Sequence, residues 1–271
     1  MIFSKIFITF LTVYLLSVVA QRLGPRHAGV LAGFPLGSAI VLYFFALEQG
    51  VEFAATSARY TLSGLAAALA LAYCYAQASL RWHSRIWLPW VVLLSLLAFF
   101  ALGIMLQSLP PWYPLHMAII AVAIVIGHVA LRSIPEQTQP VVNNHAITRW
   151  LRQPIIALIA RATLASASVL FITAAAHVLD AQWSGVLAAF PVSFVPLLIL
   201  LHASYGSHTV AATIKHYPLG LIALALYALA VSLFYPWLGL NWGTVAALSV
   251  SIIYLMMYAA VRSRHVQKLL Q

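Results

Sequence analysis

Nine apolar runs, near 3–21, 28–48, 53–77, 86–107, 114–132, 155–178, 184–203, 208–234 and 243–262, occupy almost the whole chain and leave little else to fold. Each is close to the roughly 20 residues that an α-helix needs to cross a bilayer. In hydrocarbon every backbone N–H and C=O must be satisfied inside the protein, so runs of this length are helices. Only 7% of the 271 residues are charged and 64% are hydrophobic. Soluble domains carry roughly 25% charged residues. The expected fold is therefore all-α: a polytopic membrane protein of about nine transmembrane helices whose partner is the lipid bilayer. Met1–Ala20 has the outline of a signal peptide, with a lysine, an apolar run and a small-residue exit. The apolar character continues directly into more membrane, and the segment reads as the first span.

Charge sets the orientation. The chain has fourteen Lys and Arg against four Asp and Glu. Arg22 and Arg26 follow span one, and Arg81 and Arg85 follow span three. Arg132, Arg149 and Arg152 follow span five, and Arg262, Arg264 and Lys268 follow span nine. With nine spans these segments share one side, while Glu48, Glu52 and Asp180 fall on the other. Orientation follows the Lys/Arg bias of short loops, which puts the N-terminus outside and the C-terminus in the cytoplasm. No loop is long enough to form a nucleic-acid surface. The organisation expected is a first membrane unit over 1–133, a cytoplasmic linker over 134–153 and a second membrane unit over 154–271.

The two units are copies. Gly29-Val-Leu-Ala-Gly-Phe34-Pro35 recurs as Gly185-Val-Leu-Ala-Ala-Phe190-Pro191, and the offset of 156 then runs without a gap through Gly50/Gly206 and Gly64/Gly220 to Leu65/Leu221. Eleven of the thirty-seven aligned positions are identical. Five crossings separate the two motifs, and an odd number inverts the second copy. Inverted-topology repeats are a recurring architecture of secondary transporters.

The same offset organises the chemistry. Four cations are not explained by topology: Lys5, Arg59, Arg161 and Lys215. They fall into two pairs 156 residues apart, Lys5 with Arg161 and Arg59 with Lys215. A cation near the middle of a span costs about 2.5 kcal/mol or more, and a symmetric set kept at that cost points to contact with an anion. The Phe34-Pro35 and Phe190-Pro191 motifs are the second element. Proline removes one helical hydrogen bond and clashes with the preceding turn. Gly33, Pro35 and Gly37 are therefore expected to break span two, and Pro191 with Pro196 to break span seven. Paired breaks in two inverted halves mark transport sites, and half-helix N-termini favour anions. Ser38 and Ser193 stand where side-chain oxygens line those breaks. The expected substrate-binding set is Arg59, Lys215, Arg161, Lys5, Phe34, Pro35, Ser38, Phe190, Pro191 and Ser193.

Mid-span carboxylates are absent from the sequence, which argues against a carboxylate proton relay or sodium cage. The single Cys74 excludes a cysteine cluster. No phosphate loop, zinc signature or nucleophile elbow is present, so neither a cofactor, a metal nor an enzymatic activity is expected. His128, His177, His202 and His216 read as hydrogen-bonding partners of neighbouring helices. Most of the eight Trp lie near span ends, as interfacial anchors do.

Ala28-Gly29, Phe34-Pro35, Gly50 and Arg59 in the first unit, with Gly185, Phe190-Pro191, Gly206 and Lys215 in the second, resemble the GlpM-like family of small bacterial inner-membrane proteins. Its members are about half as long, so the chain looks like two of them fused in opposite orientations. Where that family has Thr after the proline, this chain has Leu36 and Val192. The resemblance implies a bacterial inner membrane and a connection with envelope polysaccharide synthesis. The function expected is a secondary transporter or flippase for an anionic small molecule or lipid-linked phosphate. The competing expectation is a non-transporting scaffold or accessory subunit of polysaccharide synthesis; a homo-oligomer or an envelope-biosynthesis partner is compatible with either.

Overall fold

The computed structural model describes residues 2–23, 35–135 and 153–269. Among the described residues there are ten α-helices and no strand: α1 (Ile2–Leu23), α2 (Leu36–Gln49), α3 (Val51–Arg81), α4 (Leu88–Gln107), α5 (Tyr113–Leu131), α6 (Pro154–Ala175), α7 (Ala181–Ala188), α8 (Phe194–Tyr205), α9 (Ser207–Ile214) and α10 (Tyr217–Leu269). A short 3-10 turn at Arg85–Trp87 leads into α4. Five helices, α3, α4, α5, α6 and α10, are long and apolar enough to cross a membrane. The linker positions 136–152, and Phe34 with the first part of span two, lie outside the described residues.

Helix α3 is the axis of the molecule. It packs against α2, α4, α5, α7, α9 and α10, and 72% of its most apolar window is buried, against 22% for α4 and for α5. Its composition explains the difference. Positions 54–79 are rich in Ala, Ser, Thr and Gly, and small residues let helix backbones approach closely where no hydrophobic effect drives them together. The closest approach is to α7. A Cβ at Gly185 would strike the Ser57 carbonyl and the Tyr60 side chain, and one at Gly64 would meet Val186 and Ala189 at 3.1 and 2.9 Å. The Thr61 hydroxyl, 2.9 Å from the Gly185 carbonyl, ties the two helices at that crossing. Helices α4 and α5 instead turn large apolar side chains outward, among them Leu97, Ile104, Met105, Val125 and Ile126.

Both halves turn the same corner. Gly50 joins α2 to α3 with φ 95° and ψ 161°, and Gly206 joins α8 to α9 with φ 86° and ψ 179°. Only glycine adopts this region readily, and other residues there cost about 1–3 kcal/mol. Space is open around both Cα atoms, so conformation alone selects Gly. Gly50→Ala and Gly206→Ala are each expected to lower the unfolding free energy by about 1–3 kcal/mol, measured by denaturant titration in detergent micelles.

Sequence alone suggests one unbroken span at 208–234. The chain instead stops α9 at Ile214 and restarts at Tyr217. Pro218 is the cause: it lacks an N–H and is accommodated only in the first turn of a new helix. Further on, α10 folds back on itself at Gly239 (φ 68°), just past Pro236. The Ser251 hydroxyl donates to the Ala223 carbonyl at 2.9 Å and the Tyr254 hydroxyl to that of Leu219 at 3.2 Å. The two arms are thus antiparallel.

Candidate functional site

Span seven breaks where Pro191 predicts. Helix α7 ends at Ala188 and α8 begins at Phe194. Across the gap the Phe190 N–H donates to the Leu187 carbonyl at 3.0 Å and the Val192 N–H to that of Phe190 at 2.8 Å. Pro196 makes no second break, contrary to expectation. It is the third residue of α8, inside the turn where a helix tolerates proline because those N–H groups have no intrahelical acceptor. The N–H groups of Phe194 and Val195 both donate to the Pro191 carbonyl at 3.0 Å. With Pro196 lacking a donor, the first turn of α8 keeps no open N–H among these three residues. The helix-terminus anion site expected from sequence is closed at α8.

The start of α2 lies directly against this break. Helix α2 starts immediately after Pro35, whose carbonyl accepts from the Ala39 N–H at 2.6 Å. The Ser38 hydroxyl donates at 2.7 Å to the carbonyl of Ala188, the last residue of α7. Away from water that carbonyl needs a donor, and Ser38 supplies it. A Cβ on Gly37 would sit 3.3 Å from that of Val192. Pro35 and Pro191 are therefore parts of one junction, although 156 residues apart in sequence. Phe190 flanks it, its ring edge-on to Phe99 of α4 at 5.3 Å.

Arg161 reaches the junction from α6. It is only 7% exposed, and its Nε donates to the Ser193 carbonyl at 3.3 Å. That is its one hydrogen bond among the described residues, and no carboxylate there lies within ion-pairing distance. A guanidinium carries five N–H donors, so the four on its two terminal nitrogens have no partner among the described residues. Arg161, Pro191 and Ser193 from one half thus meet Pro35 and Ser38 from the other.

Lys5, the partner of Arg161 at the offset of 156, is in a different electrostatic state. Its Nζ lies 2.8 Å from Glu48 Oε2 and 2.9 Å from the Thr173 hydroxyl. The same carboxylate oxygen is 3.3 Å from His177 Nε2. Lys5 is buried and the Glu48 side chain is only 10% exposed, and each neutralises the other. At the position matching Glu48 the second half has Ser204. One half supplies its buried cation with a carboxylate and the other does not. The pairing is missed by a reading that treats Glu48 only as a loop acid. Its signal is the closeness of Lys5 to the start of span one and of Glu48 to the end of span two, two ends that share a side.

Arg59 and Lys215 bind groups outside the junction. Arg59 donates to the Pro111 carbonyl at 3.1 Å and the Tyr113 hydroxyl at 2.9 Å, with its guanidinium carbon 4.0 Å from the Tyr113 ring centre. Lys215 donates to the Ile134 carbonyl at 2.6 Å. Tyr113 begins α5 and Ile134 lies just past its end, so about 27 Å of helix separates the two contacts at 1.5 Å per residue. Two buried histidines bond to neighbouring helices. His116 Nδ1 lies 2.9 Å from the Ser63 hydroxyl, and His202 Nδ1 lies 3.3 Å from that of Tyr75.

Compared with protein-family models, curated proteins and solved structures, the chain matches none of them.

Proposed function

We propose that the protein is a secondary transporter or flippase of a bacterial inner membrane. An anionic small molecule or lipid-linked phosphate binds where the two Phe-Pro breaks meet, and Arg161 supplies the charge that holds it. The observation that carries the proposal is a buried guanidinium whose terminal nitrogens have no partner among the described residues, beside the break at Pro191 and the start of α2 packed on it. An unpaired buried cation is expensive to keep, and binding a diffusible anion is the function that justifies the expense. Nine spans in two inverted units belong to the same proposal. They are supported by the gapless offset and by the matching glycine corners at Gly50 and Gly206. Inversion makes the junction the point about which the halves rock to open on alternate sides. Arg59 and Lys215, near opposite ends of α5, meet the anion as it enters or leaves.

The tight fit of Gly37 on Val192 favours the second reading, a scaffold of envelope polysaccharide synthesis with no passage through its centre. Proteoliposomes separate the two. Flipping is followed by dithionite bleaching of NBD-phosphatidylglycerol, and soluble transport by uptake of radiolabelled benzoate. A transporter carries at least one of them and loses the activity in Arg161→Gln, while Arg59→Gln and Lys215→Gln are slowed roughly tenfold or less by loss of attraction at the entrances. A scaffold moves neither probe above the rate of empty vesicles.

A further inference from the structure

We infer that the ligand of the junction is a monoanion with a flat, two-oxygen acceptor edge: a carboxylate or a phosphodiester, and not a phosphomonoester or a polyanion. This rests on the binding role of Arg161 proposed above and adds the class of anion.

The geometry of the guanidinium sets the acceptor. Its Nε is committed to the Ser193 carbonyl, so the edge left open is the one formed by the two terminal nitrogens. That edge presents two parallel N–H groups, matched by two oxygens on one carbon or one phosphorus. A single-point acceptor such as a halide uses half of it.

Local charge limits the ligand to one negative charge. Lys5 is neutralised by Glu48. Arg59 and Lys215 hold carbonyls near the two ends of α5. At the first turn of α8 the Phe194 and Val195 N–H groups are spent on the Pro191 carbonyl. Arg161 is thus the one buried cation among the described residues that lacks a carboxylate. One anionic charge balances it, whereas a second would be buried without a partner, a state proteins avoid at several kcal/mol per ion.

The test is thermal unfolding of the purified full chain in a neutral detergent at pH 8, titrated with single probes. Dibutyl phosphate and butyrate are the monoanions, and monobutyl phosphate and glycerol 3-phosphate the dianions. Dioctanoyl phosphatidylglycerol offers the phosphodiester as a lipid headgroup. Expected is a saturable rise in Tm with the monoanions, and at least tenfold weaker binding of the dianions. The rise is lost in Arg161→Gln and weakened about tenfold in Arg161→Lys, which keeps the charge without the fork. A lipid source is identified if the phosphatidylglycerol binds more tightly than dibutyl phosphate, and a soluble source by the reverse order. Dianions that bind as tightly as monoanions overturn the charge limit while leaving an anion site in place. No Arg161-dependent response to any probe overturns the binding role itself.

Discussion

Lys5→Met is expected to destabilise the protein by about 3–5 kcal/mol, whereas Arg161→Met at the equivalent position of the second half is expected to stabilise it by about 2 kcal/mol. The opposite signs follow from one asymmetry. Removing Lys5 leaves Glu48 buried without the ammonium 2.8 Å away, and breaking a buried pair from one side costs about that much. His177, 3.3 Å from the same oxygen but half exposed, is a poor replacement. Removing Arg161 leaves no carboxylate behind. It relieves a cation whose burial costs roughly 2.5–3.5 kcal/mol and forfeits only its single bond to Ser193. Unfolding of both variants in detergent micelles measures the effects. The double variant Lys5→Met with Glu48→Leu closes the cycle and is expected to recover most of the loss, because no lone charge then remains.

Gly185→Ala is expected to be the most damaging substitution of a single small residue, on the order of 3 kcal/mol. Most overpacking is relieved by a side chain that swings aside. Here the added methyl meets the backbone carbonyl of Ser57, in the second turn of α3, and the Cβ of Tyr60. Neither yields unless α7 moves away from α3, and such a shift carries the Pro191 break with it. Gly185→Ala is therefore expected to weaken anion binding as well as stability. Gly50→Ala, at an exposed corner with open space around it, is expected to affect stability alone. Paired measurements of unfolding and of dibutyl phosphate binding separate the two effects.

Much of the frame is legible in the sequence because membrane helices announce themselves by length. The limits of α3, α4, α5 and α6 fall within a few residues of the apolar runs. The break at Pro191 is legible because a proline inside a span removes a helical hydrogen bond and clashes with the preceding turn. Pro196 and Pro218 were not, for one reason: their effect depends on where the preceding helix stops. Pro196 falls inside the first turn that Pro191 creates, and Pro218 starts a helix of its own. The site was legible in part. The offset of 156 singles out Lys5, Arg59, Arg161 and Lys215, but an offset records equivalence and not depth. Arg161 lies at the junction, while Arg59 and Lys215 lie near opposite ends of α5. Nor does equivalence fix the partner, since Glu48 stands where Ser204 does. The donors of the α8 terminus are not legible, because the turn at Pro191 accepts N–H groups that a bare helix end leaves open.

The most direct test of the anion site is calorimetric titration of dibutyl phosphate into the wild-type chain, Arg161→Gln and Arg59→Gln at one pH and ionic strength. The expected result is one equivalent bound by the wild type and by Arg59→Gln, with binding to Arg161→Gln weaker by roughly tenfold or more. Equal binding by Arg161→Gln and the wild type would contradict it.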